Sequence, residues 1–119
     1  MNHIITEYQA DDEYDIGIVI EIGGDQEVTQ SSIHLSRKVL GVVTKTEHNK
    51  VAVLSHGRGQ ILCLGPIRKG EMITSSDVPG HAVAIRGFFS EKDSIAIIGK
   101  SLEDSDDVGP KLISSFITV

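Results

Sequence analysis

The sequence predicts an all-β fold, a small sandwich or barrel of many short strands with no long helix. Three observations carry this. Val and Ile supply more than half of the apolar residues, and β-branched side chains, stiff at χ1, suit a pleated sheet. Twelve glycines and three prolines place turn signals at roughly the spacing of a sandwich or barrel. No window carries helical periodicity over about ten residues, so there is no crossover helix to build a parallel α/β sheet.

The elements follow in order. Residues 1–5 read as an extended N-terminal arm, and the polar, acidic run Thr6 to Tyr14 as a loop. Ile16 to Ile22 is a strand, with Ile16, Ile18, Ile20 and Ile22 alternating. Gly23-Gly24-Asp25 is a hairpin turn, and Glu27 to Thr29 returns as a short strand. Ser31 to Ser36 is a polar corner. Val39 to Thr44 is a strong strand, with Gly41 marking a bulge or a close approach. Glu47 to Lys50 is a turn before the strand Val51 to Leu54. Gly57-Arg58-Gly59 interrupts, and Gln60 to Leu64 forms another strand. His81 to Arg86 is a further strand, with alanine alternating with larger residues. Ser90 to Asp93 turns into a buried strand, Ser94 to Lys100. Ser101 to Gly109 is an acidic exposed loop, and Lys111 to Val119 is the terminal strand.

The most informative stretch is Gly65 to Gly80. Gly65-Pro66 and Pro79-Gly80 are turn dipeptides. Lys69-Gly70 supplies another turn, with Gly70 free to take positive φ. Met72 to Thr74 runs extended, and Thr74 or Ser75 is placed to cap one helical turn through Asp77. The phrase from Lys69 to Val78 resembles the core loop of β-clip domains. That resemblance implies a β-clip-like sandwich or barrel, a structural or binding unit. Gly65, Pro66, Gly70, Thr74, Asp77, Pro79 and Gly80 are then its clip and turn residues.

At 119 residues the default is one domain, 1–119. A chain of this length buries roughly two-thirds of its unfolded surface and needs neither disulfide nor metal to fold. The net charge of −6 repels nucleic acid unless basic residues concentrate in a patch. Arg37-Lys38 and Arg68-Lys69 are only pairs, read as solvated turn charges. The single cysteine, Cys63, sits in an apolar run and reads as a buried small hydrophobe. The lack of a disulfide framework fits assembly in a reducing compartment. No N-terminal segment reads as a signal peptide, and no apolar run approaches the roughly 18 residues of a membrane span.

A search for chemistry returns little. His3, His34, His48, His56 and His81 show no metal-ligand spacing. Asp104, Asp106 and Gly109 match part of a calcium loop, but a solvated acidic turn fits them better. Gly57-Arg58-Gly59 is too short for a phosphate loop. Paired carboxylates of the glycosidase kind are not placed on facing walls, and only 4% of the residues are aromatic, leaving few rings for a sugar. Ser114-Ser115 lack the longer helical segment of a self-cleaving domain. The expectation is no enzyme, no cofactor and no metal.

Six phrases in one order are similar to a module of tailed-bacteriophage structural proteins, often found near the ends of tail fibres. They are Glu7 to Ile20, Gly23 to Thr29, Arg37 to Thr44, Gly65 to Glu71, Thr74 to Val83 and Ile98 to Asp104. The resemblance covers nearly the whole chain. Ile16 stands where that module has proline before Gly17, and Lys45 to Lys50 replaces an insertion. The chain begins with Met1 and carries no fibre shaft, as expected of a free-standing module such as a capsid decoration. The resemblance implies a homotrimeric virion protein, assembled in the host cytoplasm, on a tail fibre, appendage or capsid surface. Its partners would be itself and other virion proteins, with no nucleic acid and no membrane. Arg37 and His81 are the interface candidates. The runner-up is a module that binds carbohydrate or a receptor, with a host surface glycan as ligand. A small hydrolase or self-processing enzyme ranks third.

Overall fold

The valine- and isoleucine-rich runs become strands because each must bury stiff, branched side chains while its peptide groups stay hydrogen-bonded. The computed structural model describes residues 2–87 and 90–119. Met1, the first residue of the expected 1–5 arm, lies outside them. The strands are β1 (Ile4–Gln9), β2 (Val19–Ile22), β3 (Val28–Gln30), β4 (Val39–Glu47), β5 (Lys50–Cys63), β6 (Met72–Ser75), β7 (Ala82–Ala84), β8 (Ile97–Ser101) and β9 (Lys111–Thr118). One six-residue 3-10 turn, Glu91–Ala96, precedes β8. The all-β expectation therefore holds, without a long helix. No helix among the described residues is long and apolar enough to cross a membrane.

The sheet runs β3-β2-β4-β5-β7-β6-β8-β9, and β9 returns to pair with β5. Strands β5, β7, β6, β8 and β9 thus close a five-stranded barrel. Among these strand pairs only β5–β7 is parallel. The other strands form a second layer on the first half of β5, which pairs with both β1 and β4. An isolated bridge from Ala10 to Val28 ties the end of β1 to β3.

β5 is the shared element. Its Leu54, Ile61 and Cys63 belong to the barrel core, with Ile67, Ile73, Ile98, Ile113 and Ile117. Its Val51 and Val53 enter a second core with Ala10, Tyr14, Ile20, Val28 and Val43. β2 and β4 are split in the same way, Val19 and Val42 facing the barrel, Ile20 and Val43 the other cluster. Each buried Val, Leu or Ile contributes about 1.5–3 kcal/mol.

This double burial explains where the sequence pattern misleads. The alternation from Ile16 to Ile22 predicts one buried face, yet Ile16 and Ile22 are exposed and Val19 and Ile20 are both fully buried. The strand starts three residues late because Gly17 takes φ +93, and its carbonyl accepts Leu62 N–H at 2.9 Å. The expected loop from Thr6 holds β1 instead. Ile4 and Ile5, assigned to the extended N-terminal arm, pair with His56 and Leu54. The β1 side chains are nearly all exposed, so the edge of β5 specifies this strand and burial does not.

The expected break at Gly57-Arg58-Gly59 is absent, and β5 runs unbroken for 14 residues. Here β5 exchanges its β1 and β4 partners for β9. The missing side chains provide room: a Cβ on Gly57 would stand 2.2 Å from His3, and one on Gly59 2.5 Å from Leu54. Ser94 to Ala96, expected as strand, completes the 3-10 turn, where Ser90 N–H donates to Asp93 Oδ2 at 3.1 Å.

Candidate functional site

The stretch from Gly65 to Gly80 divides into two polar junctions. In the first, the loop between β5 and β6 is fastened to the loop between β8 and β9. Ile67 and Ser105 exchange two backbone hydrogen bonds of 2.9 Å, and Gly65 N–H donates to the Val108 carbonyl at 3.1 Å. Gly70 N–H reaches the Ser101 carbonyl at 2.8 Å. Gly65 and Gly70 hold φ of +79 and +88. Lys69 N–H donates to Asp104 Oδ1 at 2.7 Å, and Arg68 pairs with Asp106. Lys111 Nζ donates to the Gly65, Asp107 and Gly109 carbonyls.

Glu71 is the hub of this junction. Arg86 grips both of its carboxylate oxygens, at 3.1 Å from Nε and 2.9 Å from a terminal nitrogen. The same guanidinium donates to the Pro66 carbonyl at 2.8 Å. Arg68 N–H adds a 2.7 Å bond to Glu71. The Arg86 hydrogen bonds hold the Glu71 carboxyl below its ordinary range, against an opposing push from burial.

The second junction joins the β6–β7 turn to the 31–38 loop. Thr74 and Ser75 are strand residues, fully buried, and cap no helical turn; the capping expectation is corrected. Their hydroxyls have other partners. Thr74 Oγ1 donates to the Ala96 carbonyl and Ser75 Oγ to that of Ile33, both at 2.7 Å. Ser75 Oγ also accepts Ser36 N–H at 2.9 Å, and Ser36 Oγ donates to Glu21 at 2.7 Å. Competing tertiary partners thus won over the local cap. Asp77 is exposed in the bend. Gly80, at φ +73, donates to the Ser31 carbonyl at 2.8 Å and accepts Val19 N–H at 3.0 Å. His81 Nδ1 lies 2.8 Å from the Pro79 carbonyl. Arg37 is exposed, one residue beyond Ser36. The loops that carry Arg37 and His81 are therefore fastened together, and Leu35 between them holds φ +58.

Several of the candidates for chemistry are occupied locally. Asp104 and Asp106 fasten the first junction, and Asp107 Oδ1 accepts Gly109 N–H at 2.9 Å. Ser115 Oγ donates to the Ile113 carbonyl inside the barrel wall. Among the described residues no three His, Cys, Asp or Glu side chains converge as a metal group. Burial pushes the Cys63 thiol up to about 12, which favours the neutral thiol over the thiolate. An open concavity of about 310 Å³ lies by the β4–β5 turn, lined by Glu7, Gln9, Glu47, His48, Asn49 and Lys50.

The chain shares its fold with a phage head-fiber base. The solved structure is described as the head fiber gp8.5 N base in bacteriophage phi29. The two superpose with a TM-score of 0.59 over 98% of this chain and 95% of that one, at 17% identity. No protein-family model matches the chain, and no curated protein does. The likeness in fold extends over nearly the whole of both chains.

Three features of the junctions escaped sequence reading. Arg86 and Lys111 sit in strand-like runs with nothing nearby to name a partner, and they meet Glu71 and the Gly65 carbonyl only through the barrel closure. Glu21 is a carboxylate in an apolar run, and its partner Ser36 lies 15 residues away. The alternation from Ile16 to Ile22 puts Glu21 on the polar face, so its burial, and the partner a buried carboxylate requires, carried no local signal.

Proposed function

We propose that this chain is a non-enzymatic structural protein of a bacteriophage virion. It acts as a homotrimeric, β-clip-like surface module of the particle, placed on the head, in assembly or stabilisation. The observation that carries this reading is the end-to-end likeness to the head-fiber base. Six phrases in the order of a tailed-phage structural module support it from the sequence. The junctions agree with it, since their charged groups fasten loops to the barrel. Other virion proteins are its partners, and it is assembled in the host cytoplasm.

Immunogold labelling of intact virions with antibodies against this chain tests the reading. Gold over the head surface is expected. Labelling confined to the tail would keep the virion role and overturn the head placement. Particles that contain none of the chain would overturn the proposal.

A further inference from the structure

The outer face of the barrel carries a row that its acidic composition does not foreshadow. Arg58 on β5 and Lys100 on β8 both stand directly opposite Phe116 on β9, and Met72 on β6 stands opposite Lys100. Residues in register share one face. Phe116 is 42% exposed, against the full burial of its neighbours Ser115 and Ile117. The next row holds His56, whose ring meets Phe116 edge-on at 5.4 Å, beside Ile4, which is 56% exposed. No aspartate or glutamate stands in these rows, although the chain carries a net charge of −6. Neither Arg58 nor Lys100 joins an ion pair among the described residues. Aromatic, methionine and arginine side chains together are the composition of an interface core.

A complementary surface lies elsewhere on the same chain. The 11–15 loop presents exposed Asp12, Glu13 and Asp15 beside exposed Ile16. The Tyr14 hydroxyl anchors this loop, donating to Asp11 at 2.5 Å. Asp11 packs against Gly24, which brings exposed Asp25 and Glu27 alongside.

We infer that the Phe116 face receives the acidic 11–15 loop of a second copy. Charge complementarity selects this occupant. A like-with-like contact of either surface would set cation against cation or carboxylate against carboxylate. Because the two surfaces differ, the contact is head-to-tail, which gives a ring when the rotation between copies closes and an open filament when it does not. This inference rests on the homotrimer proposed above and supplies its interface.

Light scattering on the purified full chain is the test, with circular dichroism to establish that each variant is folded. Arg58→Glu/Lys100→Glu should shift the assembly toward the monomer mass, as should Glu13→Lys/Asp15→Lys. Combining all four substitutions restores complementarity and should restore the assembly. Phe116→Ala should weaken association at least tenfold. A wild-type assembly that survives Arg58→Glu/Lys100→Glu would remove this docking mode and assign the face to a different partner, leaving the trimer itself standing. Failure of the fourfold variant to reassemble would also overturn the docking. A monomeric wild type would remove the homotrimer and the docking together.

Discussion

At the scale of single residues, two glycines separate strain from collision. Gly70 holds φ +88, and a Cβ added there would have nothing within 4 Å, so a side chain meets only backbone strain. Gly70→Val should cost about 1–2 kcal/mol. Gly41 holds φ +150, and a Cβ there would stand 2.0 Å from the Leu54 carbonyl oxygen. Gly41→Ala adds that clash to the strain and should cost about 3 kcal/mol or more. Urea titrations rank the two; equal costs would mean that β4 does not approach β5 so closely. Cys63 gives a second residue-scale expectation. Its thiol, pushed up to about 12 and fully buried, should resist alkylation in the native chain and react promptly in denaturant. Rapid native labelling would place it outside the barrel core.

At the scale of elements, the Arg86–Glu71 pair is the part of the first junction that titrates. The folded carboxyl is lowered from its ordinary 4.5. Its contribution is therefore complete above that value and is lost as pH falls through the lowered one. The pair is substantially exposed on the arginine side, so Glu71→Gln should cost about 1 kcal/mol or less near neutrality. It should also flatten the acid limb of a stability-against-pH curve, measured by urea melts from pH 7 down to pH 3. An unchanged acid limb would show that the junction does not depend on this carboxylate. The elements that the sequence revealed are those whose burial is written in their own side chains. Val39 to Thr44 and Lys111 to Val119 announce β4 and β9, and Gly23-Gly24-Asp25 announces the β2–β3 hairpin. β1 was missed because its pairing partner defines it and its side chains stay exposed. β5 was cut in two because Gly57 and Gly59 read as breakers, whereas they admit His3 and Leu54. Thr74 and Ser75 look like caps locally, and only the fold supplies Ala96, Ile33 and Ser36 as their partners. Turn chemistry is local and legible; junctions between distant loops are not.

At the scale of the whole molecule, His81, Asp104 and Ser115, which invited catalytic readings, each engage a nearby backbone group. His81→Ala, Asp104→Ala and Ser115→Ala should each yield an intact chain of unaltered mass. Asp104→Ala removes the acceptor of Lys69 N–H and should lower stability by about 1–2 kcal/mol. Incubation of the wild type with polysaccharides and peptides should give no turnover. Turnover abolished by one of these variants would promote the enzyme, whereas stoichiometric glycan binding without turnover would promote the receptor-binding module. The barrel packs against a second core on the shared strand β5, and the docking inferred above would repeat copies of this unit around an axis. The most direct measurement is a density map of the intact virion. The expected result is three copies of this fold around a threefold axis at the base of a projection on the head. A fully interpreted particle in which this fold is absent would contradict it.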